Sequence, residues 1–318
     1  MTETPPPGVT VEVAPGVRRV TAPNPSPMTH TGTQSYLVGR PGGGGAVALI
    51  DPGPAIPDHL DALAAALRAG ERVSAVLVTH SHLDHSALAP WAAERFGAPV
   101  LAFGPHGAGM SEPMRALAAS GSALGGGEGA DRGFAPDRTL AEGETVAAPD
   151  GGWRLTALHT PGHLSNHLSF LLDDRTRRAA FTGDAVMGWS TTLVSPPEGD
   201  MAAQRRTLAR MADLAERLPG LILLPGHGEA VEDAAGLLAR QIAHRDARRR
   251  AVLAALDDGP LDAAGVAARV YTDTPPALMG AATRNALATL LQLVDEGEAV
   301  ALGPISAEVA FAQAGAGG

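Results

Sequence analysis

The chain contains no cysteine, which removes disulfides, thiolate zinc sites, iron–sulfur clusters and cysteine nucleophiles together. It has no lysine either: all 24 basic residues are arginine. A Walker-type phosphate loop and Schiff-base chemistry both depend on that ammonium group, so neither is available. No stretch approaches the ~20 consecutive apolar residues of a membrane helix. The opening "MTETPPPG" carries no basic or apolar leader region, so a soluble, cytoplasmic protein with no membrane partner is expected. Basic residues are outnumbered by 34 acidic ones, for a net charge of −10. That balance argues against coating a polyanion, although it leaves a local basic patch open. What is present is a foldable chain: 318 residues with 45% hydrophobic content supply a real core.

Apolar strand-like runs and helical patterns alternate in two successive stretches, which predicts a layered α/β domain with loops at the strand ends free to build a site. "SYLVGR" and "AVALIDPG" flank "PGGGG" and read as a hairpin. No helix follows those glycines, as a phosphate loop would require. Residues 56–69 and "ALAPWAAERFG" have helical spacing; "VSAVLV" and "PVLAF" are buried strands. "GSALGGGEGADRG" reads as a surface loop without chemistry, and "WRLTALHT", "LSFLLDD", "RRAAFTGD" and "LILLPGHG" as further strands, with a helix at 201–218. After Gly228 the pattern changes to helix, helix, helix and short strand, the outline of a small winged-helix unit.

The densest chemistry is "THSHLDHS" at 79–86, directly after a buried strand. Neutral imidazoles on a rigid platform bind borderline metal ions, and carboxylates join them. Side chains two apart on an extended segment share a face, so His80 and His82 can grip one ion. Once the chain turns, Asp84 and His85 can reach a second. Further ligand types end three other strands: His163 in "HTPGH", Asp184 in "FTGD" and His227 in "PGHG". Each alone reads as a surface or capping residue. Four strand ends that all place such residues beside glycine or proline read as one site.

The set "HSHLDH", "TPGH", "TGD" and "PGHG", in that order, resembles the metallo-β-lactamase superfamily. "GTQSYLVG", "TPGHLSNHLSF" and the C-terminal stretch from "IAHRDAR" sharpen this to the β-lactamase-like protein 2 subfamily, which adds a winged helix. The resemblance implies a four-layer αββα sandwich with a small C-terminal winged-helix domain. It implies two Zn2+ ions, one held by His80, His82 and His163, the other by Asp84, His85 and His227, with Asp184 bridging. Iron or manganese also suit such ligands. Relatives that hydrolyse β-lactams use cysteine at the position of Asp184, which speaks against antibiotic hydrolysis here. Gln34, Ser35 and "HRDARR" depart from the subfamily pattern without touching the metal positions.

On this reading residues 1–8 are a disordered tail, 9–229 the catalytic domain, 230–245 a linker helix, 246–306 the winged-helix unit and 307–318 a flexible tail. Asp84 is assigned a catalytic role, orienting the nucleophile or carrying its proton. Asp51, His167 and His244 are candidates for supporting the ligands or facing substrate. His30, His59 and His106 read as surface or structural residues, and His159 as a packing or hydrogen-bonding one. The expected activity is hydrolysis of an ester, thioester or similar carbonyl in a small-molecule substrate. The alternative implied by the subfamily is cleavage of single-stranded RNA, and a third role for the winged unit is dimerisation, giving a homo-oligomer, or pocket closure. From 240 to 300 seven arginines face eight acids, so charge separates these only weakly.

Overall fold

The computed structural model describes residues 5–122, 124, 127, 129–174 and 176–315. One sheet runs in chain order: β1 (Thr10–Ala14), β2 (Val17–Thr21), β3 (Gln34–Val38), β4 (Gly45–Ile50), β5 (Glu71–Leu77), β6 (Val100–Ala102) and β7 (Arg138–Thr139). Pairing is antiparallel up to β4 and parallel beyond it. The parallel crossovers carry α1 (Pro57–Ala65), α2 (Leu83–Ser86), α3 (Ala89–Phe96) and α4 (Glu112–Ala119). The second sheet holds β8 (Thr145–Ala147), β9 (Arg154–His159), β10 (Leu168–Asp173), β11 (Arg178–Gly183) and β12 (Ile222–Pro225), in the order β12-β11-β10-β9-β8. Helix α5 (Met201–Arg217) connects β11 to its parallel neighbour β12.

Period-two burial builds the layers. Along β4, Ala46, Ala48 and Ile50 enter the core between the sheets, where Leu155, Phe170 and Phe181 meet them. The alternate Val47 and Leu49 pack outward with Leu63 of α1 and Ala92 of α3. Both faces are covered, which is why this strand reads as a continuous apolar run. On the far side Leu223 packs with Leu208 and Met211 of α5 and Leu238 of α6 (Ala234–Ala254). The result is the four-layer αββα sandwich. Residues 42–45 turn with φ between 81° and 90°, a region glycine enters at no steric cost, so the expected hairpin forms there.

The winged-helix unit contains α7 (Ala263–Val270), α8 (Met279–Asp295), β13 (Ala299–Ala301) and β14 (Phe311–Gln313). Helix α6 crosses residue 245 without a break, giving Leu237 and Leu238 to the sandwich and Val252 to the winged unit's core, which Leu256 joins just past the helix end. The closing stretch, expected to be loose, instead supplies β14: Phe311 is fully buried and pairs with Ala301. A three-residue strand anchored by one phenylalanine leaves no periodic signal. Helix α4 was likewise unread, being eight residues long behind a loop. Of the expected N-terminal tail, 1–4 lie outside the described residues, and Gly8 N–H donates to Thr21 O at 2.9 Å. Residues 316–318 also lie outside them. Among the described residues no helix is long and apolar enough to cross a membrane.

Candidate metal centre

The buried end of β5 carries the chain into the ligand loop, and α2 then turns it back, so His80 and His82 precede the turn while Asp84 and His85 lie in it. The ends of β9, β11 and β12 deliver His163, Asp184 and His227 to the same place. All seven residues assemble, in two groups. His80, His82, His163 and Asp184 form one, Asp84, His85 and His227 the other, and within each the ligand atoms lie within 4.8 Å of one another. Asp184 faces both. Its Oδ2 is 3.5 Å from His163 Nε2, and its Oδ1 is 3.4 Å from both His85 Nε2 and His227 Nε2.

Hydrogen bonds on the outward nitrogens set the tautomers. His163 Nδ1–H donates to Leu193 O at 2.7 Å, and His227 Nδ1–H to Gly32 O at 3.3 Å. His85 Nδ1–H donates to Asp51 Oδ2 at 2.9 Å. Thr79 Oγ1–H donates to Asp51 at 2.8 Å and therefore accepts from His80 Nδ1–H at 3.0 Å. Each of these four rings thus turns an Nε2 lone pair inward, an orientation such partners commonly impose on metal ligands. His82 points its Nδ1 the same way, 2.9 Å from His163 Nε2 and 3.1 Å from His80 Nε2.

Three inward lone pairs at such separations repel unless a cation sits among them, and Asp184 Oδ1 is buried without a hydrogen-bond partner. The residues therefore fit divalent metal. The electrostatics agree. Burial, then the neighbouring imidazoles His85 and His82, hold His80 well below its ordinary pKa, and burial with His163 takes His82 down to about 3. Both are neutral ligands. In the second group burial pulls the rings down but the carboxylates prevail: Asp84, Asp184 and Asp51 hold His85 up, and Asp184 holds His227 up at about 9. Burial pushes the carboxyls of Asp84 and Asp184 up, yet His85 and His227 hold both well below the usual range. That end of the site calls for positive charge, which a metal ion meets.

Asp51 stands behind both groups, accepting from Thr79 N–H at 2.7 Å as well. His167 does not face the cleft: its Nε2 accepts from Asp184 N–H at 3.1 Å and its Nδ1–H donates to Thr160 Oγ1 at 2.9 Å, so it anchors the backbone of Asp184. His244 is not brought to the site. It is exposed on α6, and the adjacent Arg245, one residue and so about 100° round the helix, takes the inward face and donates to Thr192 O. His59 is buried against Ser35, His30 is exposed beside Trp189, and His159 stacks on Phe103.

Other supporting residues went unread. Thr33 Oγ1 donates to Asp84 Oδ2 at 2.9 Å. Asn166 Nδ2 donates to Ser81 Oγ at 3.0 Å, and His106 Nδ1 lies 3.0 Å from that hydroxyl, so the loop between His80 and His82 is held from below. The glycine-rich loop takes part too: Leu83 N–H donates to Gly129 O and Asp131 N–H to Ser81 O, both at 2.7 Å. Its residues 123, 125, 126 and 128 lie outside the described residues. Single polar residues in loops carry no periodicity; only "TGTQS" and "HLSNH", polar stretches beside strands, offered a signal.

The metal groups open into a cleft of about 240 Å³ with apolar lining from Met28, Leu164, Met187 and Leu193. A neighbouring cavity of about 200 Å³ shares Met28, Met187 and Leu193 and continues to Tyr271 and Leu278 of the winged unit. Asn285 of α8 accepts from Val194 N–H at 3.0 Å, so α6 and α8 grip the segment on either side of Leu193, whose carbonyl orients His163.

Two facing sheets flanked by helices, with a histidine–aspartate cluster at the strand ends, define the architecture of a metal-dependent hydrolase class. The chain belongs to the metallo-beta-lactamase superfamily, whose profile matches residues 28–227, and residues 263–304 match the beta-lactamase associated winged helix domain. It is similar over 98% of its length to a beta-lactamase domain protein of Burkholderia ambifaria, at 28% identity and a TM-score of 0.79, covering 96% of that chain. A lactamase-like protein of Aspergillus niger is 31% identical over 77% of this chain, which spans 65% of that relative's length. The atrochrysone carboxyl ACP thioesterase of Aspergillus chevalieri is 30% identical over 80% of this chain and 70% of its own.

Proposed function

We propose that this protein is a hydrolase of acyl thioesters or related carbonyl esters, working with two divalent metal ions, zinc foremost, in the cleft of the sandwich. The observation that carries the reading is the position of Asp184, one carboxylate oxygen toward each ligand group, beside an apolar-lined cleft. Relatives named as thioesterases support the choice of acyl chemistry.

Bound there, the cations would lower the pKa of water from about 15.7 to about 7, supplying hydroxide and polarising the scissile carbonyl. The chain's own residues do the positioning. Asp84 is the most accessible carboxylate of the cluster, 26% exposed against 10% for Asp184, and Thr33 fixes one of its oxygens. It therefore orients the attacking water and carries its proton. Met28, Met187 and Leu193 exclude bulk water and hold the acyl chain.

RNA cleavage is the weaker reading because three of the four arginines that follow His244 up to residue 250 are engaged. Arg245 is buried, Arg248 donates to Val270 O and lies over the Tyr271 ring, and Arg249 pairs with Glu296 and Glu298. Little of that run remains to meet phosphates. The test is metal-reconstituted protein on an acyl thioester panel and on labelled single-stranded RNA, with Asp84→Asn alongside. Thioester turnover that Asp84→Asn loses is expected; RNA cleavage lost in Asp84→Asn, without thioester turnover, would overturn the assignment.

A further inference from the structure

Arg284 of α8 lines the same cleft as His82, Asp84, Asp184 and His227, although it belongs to the winged unit. Among the described residues its guanidinium has no hydrogen-bond acceptor and no carboxylate within ion-pair distance, and its Nε is buried and unpartnered. A buried Nε without a partner also occurs in Arg18, Arg19 and Arg245, but their terminal nitrogens are engaged: Arg18 pairs with Glu71 at 2.8 Å, Arg19 with Glu229 at 2.7 Å, and Arg245 donates to Thr192 O.

Nor do the carboxylates of the cleft serve Arg284. Glu198 is held by Arg132 at 3.1 Å and His106 at 3.3 Å, while Asp84 and Asp184 face the metal-ligand imidazoles. The helix beneath it is fixed, since Ala282 and Ala286 are buried and Asn285 holds Val194 N–H. A partly buried guanidinium with unmet donors is costly, and its planar fork matches the paired oxygens of an oxoanion.

We propose that Arg284 is the anion-recognition residue of this site, binding a carboxylate or phosphate carried by the acyl substrate. The inference rests on the hydrolase reading above and narrows its substrate class to anionic acyl compounds. Two sources offer that chemistry: a carboxylate on the acyl chain, or the phosphate of a pantetheine-type carrier arm.

The test uses non-hydrolysable thioether analogues in three matched forms: neutral, terminally carboxylated and phosphopantetheine-linked. Binding to the metal-loaded full chain is measured by calorimetry for wild type, Arg284→Gln and Arg284→Lys. Wild type should bind one anionic analogue about tenfold more tightly than the neutral one. Arg284→Gln should lose that preference while its affinity for the neutral analogue stays, and Arg284→Lys should keep part of it. Whichever anionic arm shows the preference names the source. No preference in wild type, including no binding of any analogue, overturns the proposal, as does a preference that Arg284→Gln retains. Hydrolysis of the matching neutral, carboxylated and phosphopantetheine-linked thioesters is followed separately: no turnover of any of the three with the binding preference intact sinks the hydrolase reading and leaves the anion site standing.

Discussion

Asp51→Asn separates tautomer control from simple packing. Asp51 has φ of 49°, a left-handed conformation that asparagine also tolerates, so the substitution adds no backbone strain. Every group facing the carboxylate is a donor: Thr79 N–H on one oxygen, Thr79 Oγ1–H and His85 Nδ1–H on the other. An amide in that place must turn its NH2 toward one of them. Facing Thr79, it opposes a fixed backbone N–H. Facing His85, it drives the imidazole to carry its proton on Nε2, the atom needed as a ligand. Loss of such a partner typically weakens metal binding 10- to 100-fold, or about 1.4–2.8 kcal/mol. The charge-assisted bonds lost cost a further ~1.5–3 kcal/mol of stability. Chelator competition should show the larger loss at the site containing His85, which Asp51 touches directly, and a smaller one at the site of His80, which it reaches through Thr79 Oγ1. An Asp51→Asn protein with wild-type affinity at both sites would refute the tautomer argument.

A methyl group at Gly226 would sit 2.6 Å from Asp184 Oδ1 and 2.6 Å from His85 Cε1, both buried. Gly226→Ala should therefore cost about 1–3 kcal/mol and reduce bound metal, read by elemental analysis of the folded fraction. His59, buried against Ser35, has its pKa lowered to about 4 by burial. Above the ordinary value of ~6.5 both folded and unfolded chains hold it neutral and its contribution is fully present. Between that value and about 4 only the unfolded chain takes up the proton, so stability falls with pH by about 3 kcal/mol in all. Urea titrations of metal-free protein should show His59→Gln losing about that much less than wild type between pH 7 and pH 4; parallel losses would contradict the assignment.

The residues of the candidate metal centre were legible as a cluster because they end apolar strands: "VSAVLV" before His80 and "LILLPGHG" around His227 announce a buried segment reaching the surface with polar cargo. The two-layer burial of β4 was legible for the same reason. What surrounds the ligands was not. Thr33, Asn166 and His106 act through single hydrogen bonds across 51, 85 and 25 positions of sequence, and no local pattern encodes such distances. His244 was misplaced because a histidine beside arginines draws attention, whereas helical geometry gave the inward face to Arg245. The cleft's apolar wall comes from two units meeting, which spacing within either one does not record.

The most direct test of the metal centre is anomalous diffraction from crystals of the protein reconstituted with zinc. Two peaks per chain are predicted, one among His80, His82 and His163, the other among Asp84, His85 and His227, with Asp184 touching both. A single peak, or two that lie apart from Asp184, would contradict the account.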